Sequence, residues 1–367
     1  MMARLEEICA INMGQSPDSS TYNEDGNGLP FFQGNADFGE IYPAVRMWCS
    51  EPTKIAREKD ILISVRAPIG ALNIANCECC IGRGLAALTV NEDICAQEYL
   101  WHALSGKVDE LNSKGTGSTF KAINKKTLSE TEIPLPPIDE QRKIAAILDK
   151  VSDLIAKRQQ QLDKLDEMVK ARFVEMFGDP QNNEKNWKMR TFKEICTVRQ
   201  GLQIPISKRL THFEENCYEY ITVAYLHGAK DKEYIKNPKS TVICTKDDVL
   251  MTRTGNSGMV ITNVAGVFHN NFFLIDFDRD KYIKEFLVEY LNLDLIQTEL
   301  KKRAGTSTIP DLNHSEFYKI AIYEPPMDLQ NQFAAFVNQT EKSKTTVSHS
   351  LEKLETLKKA LMQEYFR

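Results

Sequence analysis

The side chains in this sequence that are best suited to chemistry are arginines, lysines, hydroxyls and amides in glycine-containing loops. Residues 64–70 (Ser-Val-Arg-Ala-Pro-Ile-Gly) follow a short apolar run, and residues 252–258 (Thr-Arg-Thr-Gly-Asn-Ser-Gly) do the same in the second half of the chain. Arginine can bind guanine, asparagine can bind adenine, and lysines and hydroxyls suit phosphate oxygens. The loops therefore favour contact with nucleic acid; the alternative is that they are ordinary turns with solvated charges.

A second pair of loops has the same character. Residues 114–121 combine lysines, glycines and hydroxyls, and residues 303–308 combine an arginine, a glycine and three hydroxyls. Arg83 lies between two glycines and has no basic counterpart in the second half. The candidate DNA-contacting residues are Arg66, Arg83, Lys114, Ser118, Lys121, Arg253, Thr254, Asn256, Lys301 and Arg303.

Catalytic and metal chemistry have weaker support in the sequence. Residues 135–138 (Leu-Pro-Pro-Ile) and 324–327 (Glu-Pro-Pro-Met) superficially suggest the Asn/Asp-Pro-Pro-aromatic motif of adenine methyltransferases, but both lack the amide or aspartate and the aromatic residue. The chain has no G-x-x-x-x-G-K-[ST] loop for ATP. The cysteines of residues 77–80 lack the second pair that a structural zinc site requires. We therefore predict no catalytic residue, no metal and no cofactor on this chain.

The composition indicates a globular protein with a net charge of −5. The first half is acidic and the second is near neutral, so DNA binding would require a local basic face, help from partner subunits, or both. No apolar stretch approaches the length of a membrane span, and the start of the chain lacks a signal-peptide core. The nine cysteines are then expected to be reduced thiols. We predict a cytoplasmic protein that does not contact a membrane.

The elements that position these loops occur twice in the chain. Residues 136–141 (Pro-Pro-Ile-Asp-Glu-Gln) return at residues 325–330 (Pro-Pro-Met-Asp-Leu-Gln), and the register then holds to the end without a gap. Upstream the repeat is fainter, as where residues 60–64 correspond to residues 248–252. A repeat that is strong in one part and weak in another indicates a shared scaffold that carries two modules free to differ.

Each module is predicted to mix strands and helices. Apolar runs at residues 60–65 and 85–90 predict strands, and residues 96–111 predict a helix. Residues 133–137 must be extended, because proline disfavours helix at the residue before it. A long amphipathic helix follows and ends at Gly178-Asp179-Pro180.

The long helix and its repeat carry apolar residues at spacings of three and four, as in a coiled coil. Roughly 39 residues would give a rod of ~58 Å. A helix that is apolar on one side must bury that side, and the economical solution is antiparallel pairing of the two helices. The residues predicted to pack the helices or to dock a partner are Ile144, Ile147, Val151, Leu154, Leu162, Leu165, Met168, Leu351, Leu354, Leu357 and Leu361.

Three sequence features together resemble a known family. They are residues 134–149 (Pro-Leu-Pro-Pro-Ile-Asp-Glu-Gln-Arg-Lys-Ile-Ala-Ala-Ile-Leu-Asp), residues 172–180 (Arg-Phe-Val-Glu-Met-Phe-Gly-Asp-Pro), and Trp187 before a new unit. The chain resembles the specificity subunit of type I restriction–modification systems over essentially its whole length, including the repeat.

The resemblance implies an α+β fold with two similar target recognition domains separated by two long antiparallel coiled-coil helices. The expected boundaries are residues 1–135 and 181–324 for the recognition domains, and residues 136–180 and 325–367 for the helices.

The resemblance also implies a function, namely a non-catalytic subunit that reads a bipartite DNA target with one half per recognition domain. The implied partners are double-stranded DNA, two adenine-methyltransferase subunits docked on the helices, and restriction/translocase subunits of the complex. S-adenosylmethionine and ATP with Mg are expected on those partner subunits. Two alternatives are a helical adaptor or decoy that binds the methyltransferase without reading DNA, and an enzyme with unrecognised chemistry.

Overall fold

The computed structural model describes residues 1–117, 121–226, 228, 231–306 and 310–366, and the chain divides into two compact units. Unit 1 comprises residues 1–159 and the C-terminal segment from His349 onwards, and unit 2 comprises residues 160–348. Both units mix helices and sheets, so the predicted α+β class is confirmed.

Unit 1 contains two sheets, a short strand pair and several helices. In chain order its elements are β1 (Met2–Arg4), α1 (Leu5–Ile8), β2 (Cys9–Met13), β3 (Tyr22–Asn23), β4 (Leu29–Phe32), β5 (Trp48–Cys49), β6 (Ile55–Ala56), β7 (Ile61–Ser64), β8 (Leu72–Ile74), β9 (Cys79–Ile81), β10 (Leu85–Val90), α2 (Gln97–Ser105), α3 (Val108–Lys114), α4 (Lys125–Ser129), β11 (Glu132–Pro134) and the first part of α5 (Ile138–Phe177).

The main sheet of unit 1 has the strand order β2-β10-β7-β8 and is antiparallel throughout. A smaller sheet has the order β3-β5-β4-β9-β6, with β4 and β9 parallel, and β1 pairs with β11. Because side chains alternate across a strand, Ile61 and Ile63 of β7 pack in the core with the helices, whereas Leu62 packs in a second core. The continuous apolar run of β7 therefore reflects burial on both faces.

Unit 2 contains the corresponding elements. They are the last part of α5, β12 (Lys188–Thr191), α6 (Phe192–Ile195), β13 (Cys196–Gln200), β14 (Cys217–Ile221), α7 (Val223–Leu226), β15 (Tyr234–Lys236), β16 (Ile243–Cys244), β17 (Val249–Thr252), β18 (Val260–Ile261), β19 (Gly266–Phe268), β20 (Phe272–Phe277), α8 (Lys284–Asn292), α9 (Asp294–Ala304), α10 (His314–Phe317), β21 (Ala321–Glu324) and the first part of α11 (Met327–Phe366).

The main sheet of unit 2 has the order β13-β20-β17-β18, which repeats unit 1 strand for strand. The second sheet has the order β15-β14-β19-β16, and β12 pairs with β21. Small details repeat as well, since the Asn124 side chain caps α4 and the Asn313 side chain caps α10 by accepting a backbone N–H at 2.9 and 3.0 Å. The sequence repeat is thus a repeat of the fold.

Each unit contains a segment of both long helices. In unit 1 the beginning of α5 shares a core with the end of α11, which includes Leu148 of α5 and Phe366 of α11, and the Phe366 ring lies 5.2 Å from the ring of Tyr99 in α2. In unit 2 the end of α5 shares a core with the beginning of α11, where the rings of Phe173 and Phe333 lie 5.4 Å apart. Within each unit the start of one helix thus meets the end of the other, as antiparallel pairing requires.

The predicted apolar stripe is only partly the buried face of these helices. Ile144 and Val151 are buried, and Leu162, Leu165, Leu351, Leu354 and Leu361 are half-buried. Four of the predicted residues are more exposed, at 37–46% of their surface: Ile147, Leu154, Met168 and Leu357.

The reason is visible at Ile147. It precedes Leu148, which is fully buried, and one residue along a helix turns the side chain by about 100°. The spacing of apolar residues therefore located the helices and most of their buried side, but not its exact limits. Leu148 in unit 1 and Phe177 and Phe333 in unit 2 are among the fully buried helix residues that the predicted set omitted.

Candidate nucleic-acid interface

The two predicted loops of unit 1 lie side by side. The post-strand loop is defined here as residues 64–70, and the second loop as residues 114–121. The backbone N–H of Ala67 donates to the Lys121 carbonyl at 3.0 Å, and the N–H of Ile123 donates to the Val65 carbonyl at 2.9 Å. These bonds join two segments that are far apart in sequence. Ser118, a candidate from the sequence, lies outside the described residues.

Unit 2 joins its own post-strand loop (residues 252–258) in the same way to Pro310 and Leu312, which follow the second loop (residues 303–308) in the chain. The N–H of Gly255 donates to the Pro310 carbonyl at 3.3 Å, and the N–H of Leu312 donates to the Arg253 carbonyl at 2.9 Å. Ser257 adds a side-chain bond, because its hydroxyl donates to the Pro310 carbonyl at 3.0 Å. Both units therefore have the same backbone hydrogen bonds at the candidate interface.

A hydroxyl and a glycine shape each post-strand loop. The side-chain oxygen of Ser64 accepts the N–H of Ala71 at 3.2 Å, and that of Thr252 accepts the N–H of Met259 at 2.8 Å. Each loop closes at a glycine whose φ is positive, +92° at Gly70 and +91° at Gly258, a conformation that favours glycine over other residues. The repeated Ser/Thr and Gly thus serve the turn, which leaves the residues between them to vary.

The arginines of the two post-strand loops are not at equivalent positions, although the sequence suggested a match. The shared hydrogen bonds align Arg253 with Val65 and Arg66 with Thr254. A shift of one residue in an extended segment turns the side chain to the opposite face. Val65 is buried at 2% exposure, whereas Arg66 is exposed and forms no ion pair with a described carboxylate. The two loops consequently present different chemistry on the same backbone.

Arg253 is held by Asp311, the residue that follows Pro310. Its Nε donates to Oδ1 of Asp311 at 2.7 Å and its Nη2 donates to Oδ2 at 2.9 Å. Hydrogen bonding to Arg253 lowers the pKa of the Asp311 carboxyl, and hydrogen bonding to Asp311 raises the pKa of Arg253. Nη1 has no partner among the described residues, so the outer edge of the guanidinium remains available to a ligand.

The other candidates divide into free and engaged cations. Arg83, Lys121 and Lys301 are exposed and form no ion pair with a described carboxylate. Lys114 pairs with Glu110 at 2.6 Å. Free cations can neutralise phosphates without first breaking an internal contact, so the first three fit DNA contact better than Lys114.

Arg303 is the most engaged of the candidate arginines. It contacts Glu299 at 2.6 Å and Glu316 at 3.2 Å, and its side chain is 24% exposed. By contrast, Asn256 is exposed and Thr254 is half-buried on the post-strand loop of unit 2. Asn256 therefore retains the capacity to contact a base edge, whereas Arg303 serves the packing of α9 against α10.

Sequence reasoning missed Asp311. Its counterpart in unit 1 is Ala122, so the second half carries a carboxylate where the first half has a methyl group. Two signals in the sequence could have identified the Arg253–Asp311 ion pair. The acidic residue appears only in the second half, and the arginine of that half lies one position earlier in its loop than the arginine of the first half.

The described part of the chain contains neither a candidate metal cluster nor a helix able to cross a membrane. Within the described ranges, no group of three or more histidine, cysteine, aspartate or glutamate side chains is arranged to hold a metal ion. Among the helices of the described chain, none combines the length and the hydrophobicity that a membrane crossing requires.

The fold has counterparts among solved structures. The crystal structure of a type I restriction-modification system S subunit from M. genitalium matches with a TM-score of 0.65 at 15% identity, covering 100% of this chain and 96% of that one. A chain from work on complex assembly and conformational transition of the type I R-M system matches with a TM-score of 0.59 at 18% identity, covering 100% and 97%. The architecture is therefore that of S subunits, with two α+β modules and long helices.

The family follows from the sequence. The model of the type I restriction modification DNA specificity domain matches the chain twice, over residues 1–167 and 184–358. The chain belongs to this family, and the resemblance inferred from the sequence motifs is confirmed.

Curated relatives agree with this assignment. The putative type I restriction enzyme MjaX specificity subunit of Methanocaldococcus jannaschii is 43% identical over 165 residues, which are 45% of this chain and 39% of that protein. The EcoBI specificity subunit of Escherichia coli is 24% identical over 175 residues, 45% of this chain and 35% of that protein. Each match spans less than half the length of the relative.

Proposed function

We propose that this chain is the sequence-reading specificity subunit of a type I restriction–modification complex and that it reads a bipartite DNA target with one half per unit. The observation that carries this proposal is the repeated loop pair. In both units the same backbone bonds join the post-strand loop to the end of the second loop or to the residues just after it, and the two post-strand loops carry different side chains. One scaffold with two surfaces suits a protein that recognises two unlike half-sequences.

Base contacts are assigned to the residues that remain accessible. In unit 1 these are Arg66 and Arg83, with Lys121 on the phosphates. In unit 2 they are the outer edge of Arg253 and the amide of Asn256. Arginine is suited to guanine and asparagine to adenine in the major groove. The two units would then favour different bases.

The long helices are assigned two duties, to set the spacing of the half-sites and to dock two adenine-methyltransferase subunits. Unit 1 exposes Ile147, Leu154 and Leu357 on its helix segments, and unit 2 exposes Met168 and Val174. Apolar side chains among charged ones offer a partner surface that can be buried on assembly. Docking is the second role foreseen for this set, and the exposure of four of its members supports that role.

Methylation and cleavage of DNA are assigned to the modification and restriction subunits. The chain lacks both the methyltransferase motif and the ATP loop, so we propose that S-adenosylmethionine binds the modification subunits and that ATP with Mg binds the restriction subunits. The isolated chain should neither methylate nor cleave DNA. The complex would act on DNA in the cytoplasm.

The test is a selection with the chain assembled with its modification subunits. Methylated DNA recovered from a random library should share a split motif with a fixed gap. A chimera in which residues 1–133 come from another family member should change one half of that motif and keep the other half and the gap. A contiguous motif, or a change in both halves, would contradict one-half-per-unit reading. Assembly without any DNA preference would favour the adaptor instead.

A further inference from the structure

One feature of the repeated Pro-Pro-x-Asp-x-Gln run is unexplained by DNA contact. Gln141 and Gln330 end the two copies of this run, and both side chains are completely buried at 0% exposure. Each lies in the first turn of a long helix, since α5 begins at Ile138 and α11 at Met327. A polar amide in a core position requires partners, because an unpaired buried amide is costly.

In unit 1, Gln141 joins three segments of the chain. Its Oε1 accepts the backbone N–H of Ala96, the residue before α2, at 2.9 Å. Its Nε2 donates to the carbonyls of Ile94 at 3.0 Å and Pro136 at 2.8 Å. The amide thus ties the start of α5 to the segment that leads into α2 and to the linker before α5.

In unit 2, Gln330 repeats every contact. Its Oε1 accepts the backbone N–H of Ile283, the residue before α8, at 2.9 Å. Its Nε2 donates to the carbonyls of Lys281 at 2.8 Å and Pro325 at 2.9 Å. The two units differ in the charges of their loops, but both have the same three hydrogen bonds from a buried glutamine in the first turn of a long helix. We call this set of three bonds the glutamine clamp.

The clamp constrains direction as well as position. Apolar packing is non-directional, whereas hydrogen bonds weaken steeply as their angle departs from linear. The glutamine amide uses its carbonyl and both N–H groups, so three angles are fixed at once. A tilt of only ~5° at the root of a 40-residue helix, ~60 Å long, moves its far end by ~5 Å, which exceeds the ~3.4 Å step between base pairs.

We propose that Gln141 and Gln330 are positioning residues that fix the direction in which each long helix leaves its module, and that they thereby restrict the complex to one spacer length between the half-sites. This inference rests on the proposed function. It assigns the buried glutamines to spacing and the exposed loops to sequence.

The test measures spacer choice with the full chain assembled with its modification subunits. Gln330→Met keeps the approximate volume and removes the hydrogen bonds, and Gln141→Met does the same in the other unit. The DNA library carries the two half-sequences found for the natural complex, separated by gaps from two base pairs shorter to two longer. Methylation of each gap is counted by sequencing.

We expect the natural complex to prefer one gap. In each methionine variant, that preference over the neighbouring gaps should fall roughly tenfold, with unchanged half-sequences. Gln332→Met, an exposed position on α11, is the matched control and should keep the natural preference.

Uniformly lower methylation with an unchanged gap preference would overturn the inference, because it would show that the amides only stabilise the fold. If Gln330→Met fails to fold, Gln141→Met decides the question in the other unit. Failure of the natural complex to select any split sequence would overturn the proposed function itself, and with it this inference.

Discussion

The two post-strand loops share a backbone and differ in their charges. In unit 1, Arg66 extends into solvent without an ion pair with any described carboxylate. In unit 2, the arginine lies one residue earlier, at Arg253, and is paired with Asp311. The shared part consists of backbone bonds, a hydroxyl and a glycine, and the differing part consists of side chains at the accessible positions. A duplicated module can therefore acquire a new surface without changing its core.

The cores beside the long helices differ as well. Unit 2 packs α5 against α11 through aromatic rings, with Phe173 and Phe177 each 5.4 Å from Phe333. In unit 1, α5 contributes aliphatic residues to the shared core, including Ile144 and the fully buried Leu148, and the aromatic ring comes from Phe366 of α11. The architecture tolerates this exchange because both sets fill the space between a helix pair and a sheet.

The largest expected effect is a loss of stability on removing the aromatic contact between Phe173 and Phe333. Phe173→Ala should lower the free energy of unfolding by about 3–5 kcal/mol, because it removes a fully buried ring and leaves a cavity. Leu148→Ala in unit 1 should cost about 2–5 kcal/mol for the same reason. Urea unfolding of the full chain measures both.

The neighbouring Val174 is the control, because it is 46% exposed on the same helix. Val174→Ala should change the stability by no more than about 0.5 kcal/mol. Equal losses for Phe173→Ala and Val174→Ala would contradict the assignment of the buried face of α5.

The next effect tests the Arg253–Asp311 pair. Removing a base-reading arginine should cost about 1–3 kcal/mol of DNA binding and relax one position of the target, so Arg253→Ala should do both. Asp311→Ala should relax the same position, because it frees Arg253 to rotate away from its fixed orientation. Binding at fixed salt to the cognate site and to its single-base variants measures both changes.

Arg303→Ala serves as the comparison, since Arg303 is paired with Glu299 and Glu316 and is assigned to packing. It should leave the base preference unchanged. An unchanged preference and affinity for Arg253→Ala would show instead that its ion pair with Asp311 only closes the turn.

These contrasts show how far the sequence alone could predict the molecule. The apolar runs at residues 60–65 and 85–90 became β7 and β10, and proline and glycine marked the limits of α5, because those signals are local. The single helix predicted over residues 96–111 is two helices, α2 and α3, separated near Gly106. Glycine is unfavourable inside a helix, so this break was available in the sequence and was missed.

The site was less predictable than the fold, because its decisive contacts are long-range. The loops and the candidate residues on them were proposed from residue type and repetition. The ion pair between Arg253 and Asp311 joins residues that are distant in sequence, and the one-residue displacement relative to Val65 is defined by backbone hydrogen bonds. Composition and spacing do not contain that information. The buried role of Gln141 was likewise hidden, although the repeated motif was visible.

A smaller effect is expected at Glu289, a carboxyl of unit 2 whose equivalent in unit 1 is a histidine. His102 in unit 1 and Glu289 in unit 2 are at equivalent positions. Each lies six residues after the residue whose backbone N–H donates to the clamp glutamine, Ala96 in unit 1 and Ile283 in unit 2. His102 lies 2.7 Å from Asp149, whereas Oε1 of Glu289 is buried without a hydrogen-bond partner among the described residues. Burial raises the pKa of Glu289, so its ionised form is unfavourable in the folded protein.

Glu289→Gln should therefore raise the melting temperature at neutral pH by roughly 2–4 °C. A raised carboxyl pKa means that the natural protein loses stability as pH rises above the unfolded value of about 4.3 and through the folded one. The gain from Glu289→Gln should accordingly shrink as pH is lowered toward 4. Thermal melts across this range measure it, with the exposed Glu167→Gln as the control. A gain that does not depend on pH would exclude ionisation as its cause.

The smallest expected effect is the loss of DNA affinity when one lysine is removed. Its dependence on sequence and salt distinguishes a phosphate contact from a base contact in each unit. Lys121 in unit 1 and Lys301 in unit 2 are exposed and form no ion pair with a described carboxylate. Lys121→Ala and Lys301→Ala should each weaken binding to all sequences alike and reduce the slope of log K against log salt by about 1, because one released counterion is lost. Lys342→Ala, an exposed position on α11 away from the loops, should leave that slope unchanged. Binding to cognate and random DNA at several salt concentrations measures the slope, and a loss confined to the cognate site would show that the lysine contacts a base rather than the backbone.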